Sequence, residues 1–249
     1  MTFSEPLLQF RHGDHICVFY RSEDALAEVL SPYIAEGLRK HERCFCVQKP
    51  HITARIQNDL RFIGVNVEAE IAAGALEFHA IRETYMPDGS FSSRKMMSML
   101  KESIERAVDC GYAGLRTAGE LAWVGEVQDY CEEVAEYEAM LQKHSCGRPV
   151  TGLCQYPMQS FAPDFLERIL QHHKLRVVEA ETATRATMEI TDGSFTTEIV
   201  AEKFLAKPRY DYVVAHAASR EVVGWGRSEN FEAARRQSEE TVHGHLRVN

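Results

Sequence analysis

No apolar run in this 249-residue chain approaches the roughly 18 to 20 residues that a membrane-spanning helix needs. The N-terminal stretch, with Glu5 and Arg11, also lacks the apolar core of a secretory signal. Basic residues are in deficit, 28 Lys and Arg against 37 Asp and Glu, so a general nucleic-acid surface is not expected and only a local basic patch remains available. The seven cysteines contain no C-x-x-C spacing, are odd in number and fall in stretches that read as strands and helices. That excludes a secreted disulfide framework and leaves reduced thiols in a cytoplasmic protein as the expectation. No Gly-Lys dipeptide occurs, so the phosphate-cradling loop of a nucleotide hydrolase has no counterpart. In its place after the first strand stands Arg21-Ser22-Glu23-Asp24, whose carboxylates repel phosphate. Gly-x-Ser-x-Gly and His-Glu-x-x-His are missing too, and Gly224-Trp225-Gly226 lacks the third glycine of a dinucleotide fingerprint.

What is present begins with His12-Gly13-Asp14-His15-Ile16-Cys17-Val18-Phe19-Tyr20, a polar turn running into an apolar stretch that reads as a strand buried on both faces. Alternation places His15, Cys17 and Phe19 on one face and Ile16, Val18 and Tyr20 on the other. Ser22 then caps a helix with apolar residues from Leu26 to Leu38, which Pro32 is expected to kink or divide. A second strand at Arg43 to Val47, a helix from Ile52 to Phe62, a short one near Val67 to Ala73 and a strand at Leu76 to His79 follow. The turn-rich loop Thr84 to Phe91 precedes a helix capped by Ser92 and ended by Gly111. A strand near Ala113 to Thr117, a helix near Glu126 to Lys143, a strand from Val150 to Tyr156 and a helix from Pro163 toward His172 and His173 complete the series.

This alternation predicts an α/β fold with a mostly parallel sheet flanked by helices over residues 1–182. Residues 183–249 change in texture and are expected to form a small α+β module for assembly or partner contact. Its predicted order is βαββα, with strands near Met188 to Thr191, Tyr210 to His216 and Glu221 to Gly226 and helices at Thr197 to Ala206 and Asn230 to His245.

Several blocks, in order, resemble one family. They are Gly13-Asp14-His15-Ile16-Cys17 with Tyr20, Gly37-Leu38, Glu42-Arg43-Cys44, Asp88-Gly89-Ser90-Phe91, Gly114-Leu115-Arg116 with Gly119-Glu120 and Trp123, and Leu153-Cys154-Gln155-Tyr156. Together they resemble the MEDS family, the sensory domain named for methanogens, methylotrophs and the regulator DcmR, over about Phe10 to Val178. The resemblance implies a derived RecA-like fold, related to circadian-clock type ATPases, that serves as an input module for small hydrocarbon-derived signals. Relatives often carry a DNA-binding or histidine-kinase output, whereas the residues after Arg185 match neither pattern.

The expected function is therefore non-catalytic sensing of a small organic molecule, with no cofactor required and a second copy or a signalling protein as partner. Strand ends converging on a crevice nominate His15, Cys17, Tyr20, His79, Arg116, Glu120, Trp123 and Tyr156 as ligand contacts, aromatic walls suiting an apolar molecule and Arg116 and Glu120 its polar end. The plainer alternatives are that Arg116 pairs with Glu120 and that Trp123 is core. Two rivals stay open. One is a degenerate nucleotide-binding ATPase that uses Arg116 in place of the lost lysine. The other is a metal or redox sensor drawing on His15, Cys17, Cys44, Cys46, Cys154 and His79, against which stands the habit of buried cysteine to act as a small apolar side chain. His172 and His173 read as partners of a helix dipole.

Overall fold

The computed structural model describes residues 10–173, 175–179, 185–192, 195–202, 209–216, 218–219, 222–228 and 231–248. The first strand, β1 (His15–Tyr20), is buried along its whole length, as expected of a central strand covered on both faces. The Ser22 hydroxyl accepts from the Ala25 N–H and opens α1 (Glu23–Arg39). Pro32 lies inside α1, which the chain builds as one element, not the divided helix allowed for by the sequence. Next come β2 (Arg43–Val47) and α2 (Pro50–Phe62), where Pro50 occupies the first turn and needs no hydrogen-bond acceptor there. They are followed by α3 (Val67–Ala72), β3 (Leu76–His79) and the short α4 (Ile81–Tyr85), which takes up the start of the predicted loop.

The amphipathic α5 (Ser93–Asp109) is capped by Ser92 and leads to β4 (Leu115–Glu120). The helix expected near 126–143 is α7 (Cys131–Ser145), which begins later than expected and is preceded by a short helix that was not expected, α6 (Ala122–Glu126); β5 (Val150–Pro157) and α8 (Pro163–Gln171) follow. Beyond α8 the strands are β6 (Leu175–Glu179), β7 (Arg185–Asp192), β8 (Phe195–Glu202), β9 (Arg209–His216) and β10 (Val222–Ser228), and the chain closes with α9 (Phe231–Val248).

All ten strands form one sheet in the order β10-β9-β8-β7-β6-β1-β5-β4-β2-β3. Strands β6, β1, β5, β4, β2 and β3 pair in parallel, with β1 held between β5 and β6. This is the mixed α/β, mostly parallel, helix-flanked architecture expected for a RecA-like fold. From β6 onward pairing is antiparallel.

The helix predicted at Thr197 to Ala206 is corrected. Residues Phe195–Glu202 are strand β8, paired residue for residue with β7, and positions 203–206 lie outside the described residues. The segment Phe195-Thr196-Thr197-Glu198-Ile199-Val200 is rich in aromatic and β-branched side chains, which suit a pleated surface better than a helix. The C-terminal order is thus four strands and a helix.

Two cores sit on opposite faces of the sheet. Ile16, Val18 and Tyr20 pack with Leu26, Leu30 and Ile34 of α1, and Val214, Ala234 and Val242 from the C-terminal elements join the same core. Cys17 and Phe19 face the other way, into a core built with α5, α7 and α8. Helix α9 is also tied to the turn before β1, since Arg235 Nη1 and Nη2 donate to the Asp14 carboxylate at 2.9 and 3.0 Å. Among the described residues no helix is long and apolar enough to cross a membrane.

Candidate functional site

Beneath α5 and α7 the sheet forms the floor of a partly open cavity of about 50 Å³. Phe45, Met96, Leu100, Tyr137 and Leu141 supply apolar walls, and His15, Thr117 and Cys154 bring polar atoms to its lining. The floor is open because position 152 of β5 is glycine, so no side chain rises between His15 and Thr117.

Four buried polar side chains cluster along this face: His15 on β1, Cys154 on β5, Glu138 on α7 and His173 just past α8. His15 Nε2 lies 3.0 Å and His173 Nε2 3.3 Å from Glu138 Oε2. Cys154 Sγ is 3.4 Å from both His15 Nε2 and Glu138 Oε2. The Tyr156 hydroxyl donates to Glu138 Oε1, and the imidazole rings of His15 and His173 stand 4.0 Å apart between centroids. Burial opposes ionisation of Glu138, but the two histidines outweigh it and hold the carboxyl below its ordinary range. Burial and the neighbouring His173 lower the His15 pKa, while burial and Glu138 push the Cys154 thiol well up.

The opposite face carries a different polar set. Arg116, fully buried, donates through Nε to Glu42 and lies 4.5 Å over the Tyr33 ring. Glu120 instead accepts at Oε1 from the Tyr20 hydroxyl at 3.1 Å and from the Ala122 N–H at 2.8 Å. Arg116 and Glu120 share a face of β4, about 13 Å apart along the strand, and each is taken by a different partner. Cys44 and Cys46 also belong to this second core, which separates them from His15 and Cys154 by the thickness of the sheet. Burial pushes the Cys44 thiol up to about 12.

Glu120 makes a measurable prediction. Burial raises its carboxyl above the ordinary value, so the folded state favours the neutral acid. Stability from this group is full below the unfolded-state value, about 4.3, and is lost as pH rises through the raised folded value. Glu120→Gln, which keeps an acceptor for both donors, is expected to remove this decline; urea denaturation across a pH series that starts below the ordinary carboxylate range and rises well above it reads the effect. An unchanged pH profile contradicts it.

The remaining nominated residues divide. Tyr156 touches the cluster directly, and Cys17 neighbours Cys154 in register on the same side. Trp123 sits in an aromatic group with Tyr85, Phe91 and Tyr130. His79 lies on the edge strand, stacked on Phe45 and 3.0 Å from Glu77, beside a separate polar groove. Sequence reasoning missed Glu138 and placed His173 on a helix dipole. The available signal was a lone acid at a core position of α7, between Ala135 and Leu141.

At the carboxyl end of β1, where nucleotide-binding α/β sheets hold phosphate, only Arg21 and Ser22 separate strand from helix. Ser22 occupies the Ala25 amide, and Glu23 and Asp24 fill the first turn. The sheet with its mostly apolar cavity therefore defines an α/β domain whose interior, not the corner after β1, is the candidate site. The chain belongs to the MEDS family, described as the methanogen/methylotroph, DcmR sensory domain, whose model matches residues 14–174. It is 27% identical over 168 residues to the transcriptional repressor DcmR of Methylorubrum extorquens, covering 67% of this chain and 60% of that protein. Among solved structures it is similar to the flagellar accessory protein FlaH of Methanocaldococcus jannaschii, at 10% identity and TM-score 0.43 over 88% of this chain and 91% of that one. It is also similar to a KaiC-like protein of Pyrococcus horikoshii OT3, at 12% identity and TM-score 0.47 over 78% and 87%.

Proposed function

We propose that this chain is a non-catalytic input module of a regulatory system and that it takes a small, hydrocarbon-derived molecule into the cavity between the sheet and helices α5 and α7. The cavity carries the reading. Its volume of about 50 Å³ exceeds the roughly 10 to 15 Å³ of a single water and suits a molecule of a few heavy atoms, far smaller than a nucleotide. Membership of a sensory family and likeness to a transcriptional repressor support a regulatory role. An acidic first turn in α1 weighs against the nucleotide-binding rival, since phosphate meets Glu23 and Asp24 there.

A bound molecule shifts a regulatory equilibrium only by its difference in affinity between two states. The physical link to the rest of the chain is short: His15 lines the cavity, and its neighbour Asp14 holds Arg235 of α9. Output then passes through the C-terminal elements to a second copy or a signalling protein.

Gly152→Ala tests the cavity without straining the fold, because the added methyl meets Thr117 Oγ1 at 3.4 Å and His15 Cδ2 at 3.6 Å, ordinary contact distances. Titration with ethanol, dichloromethane and xenon, followed through the methyl resonances of Met96 and Met99, is expected to give saturable shifts in the wild type that Gly152→Ala weakens or abolishes. Shifts that never saturate, or that the substitution leaves untouched, sink the proposal.

A further inference from the structure

Each of His15, Glu138, Cys154 and His173 offers one ligand atom, and these atoms all lie within 4.8 Å of one another. We propose that the four bind a divalent ion of the borderline-soft, tetrahedral class to which Zn²⁺ belongs. This stands apart from the sensing proposal: it needs no organic ligand.

Donor type, spacing and charge agree, and His173 and Glu138 each have an outer contact. Two imidazoles, a thiolate and a carboxylate form a mixed N/S/O set, which favours such an ion over hard cations that seek oxygen alone. With metal–ligand bonds of about 2.0 to 2.3 Å, the edges of a tetrahedron measure about 3.3 to 3.7 Å. Four of the six separations here are 3.0, 3.3, 3.4 and 3.4 Å and all six lie within 4.8 Å, so a modest rearrangement of the side chains admits an ion at the centre. One thiolate and one carboxylate balance a double positive charge, leaving a neutral buried unit; binding releases the Cys154 thiol proton to solvent.

The orientation of His173 is the most telling detail. Its Nδ1 donates to the Ile169 carbonyl at 2.8 Å, which orients the ring so that Nε2 is the nitrogen left to bind an ion once the imidazole is neutral. That Nε2 is fully buried and points into the cluster, 3.3 Å from Glu138 Oε2. Tyr156 plays the matching outer role by donating to the second oxygen of Glu138. The cavity lined by His15 and Cys154 gives an ion its way in.

The four ligands come from β1, α7, β5 and the end of α8, so a bound ion pins both helices to the two central strands. Its loading therefore sets how firmly α8, and β6 immediately after it, are held.

The test uses the full chain, stripped with chelator and titrated anaerobically with Co²⁺. The expected result is one equivalent bound, with the visible bands of a tetrahedral site and a near-ultraviolet thiolate-to-cobalt band, both erased by Zn²⁺. Cys154→Ser removes the thiolate band, and Cys110→Ser, an exposed thiol far from the cluster, leaves it unchanged. Tyr156→Phe keeps both bands and weakens binding by about 10- to 100-fold, the usual cost of losing an outer contact. Octahedral spectra, no saturable binding by the wild type, or a thiolate band that survives Cys154→Ser overturn the proposal. The wild-type titration decides even if a variant fails to fold.

Discussion

Glu42→Ala is expected to destabilise the protein by about 3 to 5 kcal/mol, because it leaves the Arg116 guanidinium charged and uncompensated inside the second core. Arg116 is 1% and Glu42 2% exposed, so water cannot replace the lost carboxylate. The Arg116 Nη1 and Nη2 atoms already make no hydrogen bond among the described residues and rest on the Tyr33 ring, so there is no second anion to take over. Urea denaturation reads the effect. Arg116→Met combined with Glu42→Gln is expected to recover most of the loss, since removing both charges of a buried pair is far less costly than removing one. The same pair confers acid sensitivity. Burial raises the Glu42 carboxyl, but His12 and Arg116 outweigh it and hold it below the ordinary value. Its stabilisation is therefore present above the unfolded-state value and lost as pH falls toward the depressed folded one. A Glu42→Ala protein as stable as the wild type rules out this account.

That ion pair also shows what the sequence could and could not disclose. Strand periodicity was enough to put His15 and Cys17 on one face of β1 and Tyr20 on the other, and the two cores confirm it. The strand near Ala113 to Thr117 is longer than expected, and β4 runs on to Glu120, so Arg116 and Glu120 share one of its faces. The partners, however, come from residues 74 and 100 positions away, Glu42 and Tyr20, and no local pattern encodes such pairings. The metal-ligand set illustrates the same limit. His15 and Cys154 were nominated together with Cys44 and Cys46, because adjacent strands were expected, but which face β2 presents depends on register. Glu138 required the rotation of α7 against the sheet, and His173 the exit angle of α8. The parallel half of the fold was legible because each strand is a short apolar run between helices with clear caps, such as Ser22 and Ser92. Strand β8 was not, because Ala201 and the charged Glu198 and Glu202 disguise a β-branched run as an amphipathic helix.

Gly37 provides a sharper test of the packing, because two simple rules predict opposite signs for its replacement. In a solvated helix, Gly→Ala stabilises by about 1 kcal/mol. Gly37 lies in the C-terminal half of α1 on the buried side, where a Cβ would stand 2.5 Å from Arg116 Cδ, 2.7 Å from Arg116 Nε and 2.8 Å from Cys44 Sγ. Neither neighbour can yield easily. Arg116 is held between Glu42 and Tyr33, and Cys44 is fixed on β2, paired on both sides with β3 and β4. Overpacking of this kind costs about 1 to 3 kcal/mol or more, which outweighs the gain in helix propensity, so Gly37→Ala is expected to destabilise. The sign distinguishes the two effects, and the mechanism can be isolated with a double-mutant cycle. In an Arg116→Ala background, where the blocking side chain is gone, the penalty of Gly37→Ala should shrink or reverse. A stabilising Gly37→Ala in the wild-type background, or the same penalty in both backgrounds, means that the guanidinium does not pass over Gly37. The tight approach of α1 to β4 at this point would then need a different explanation.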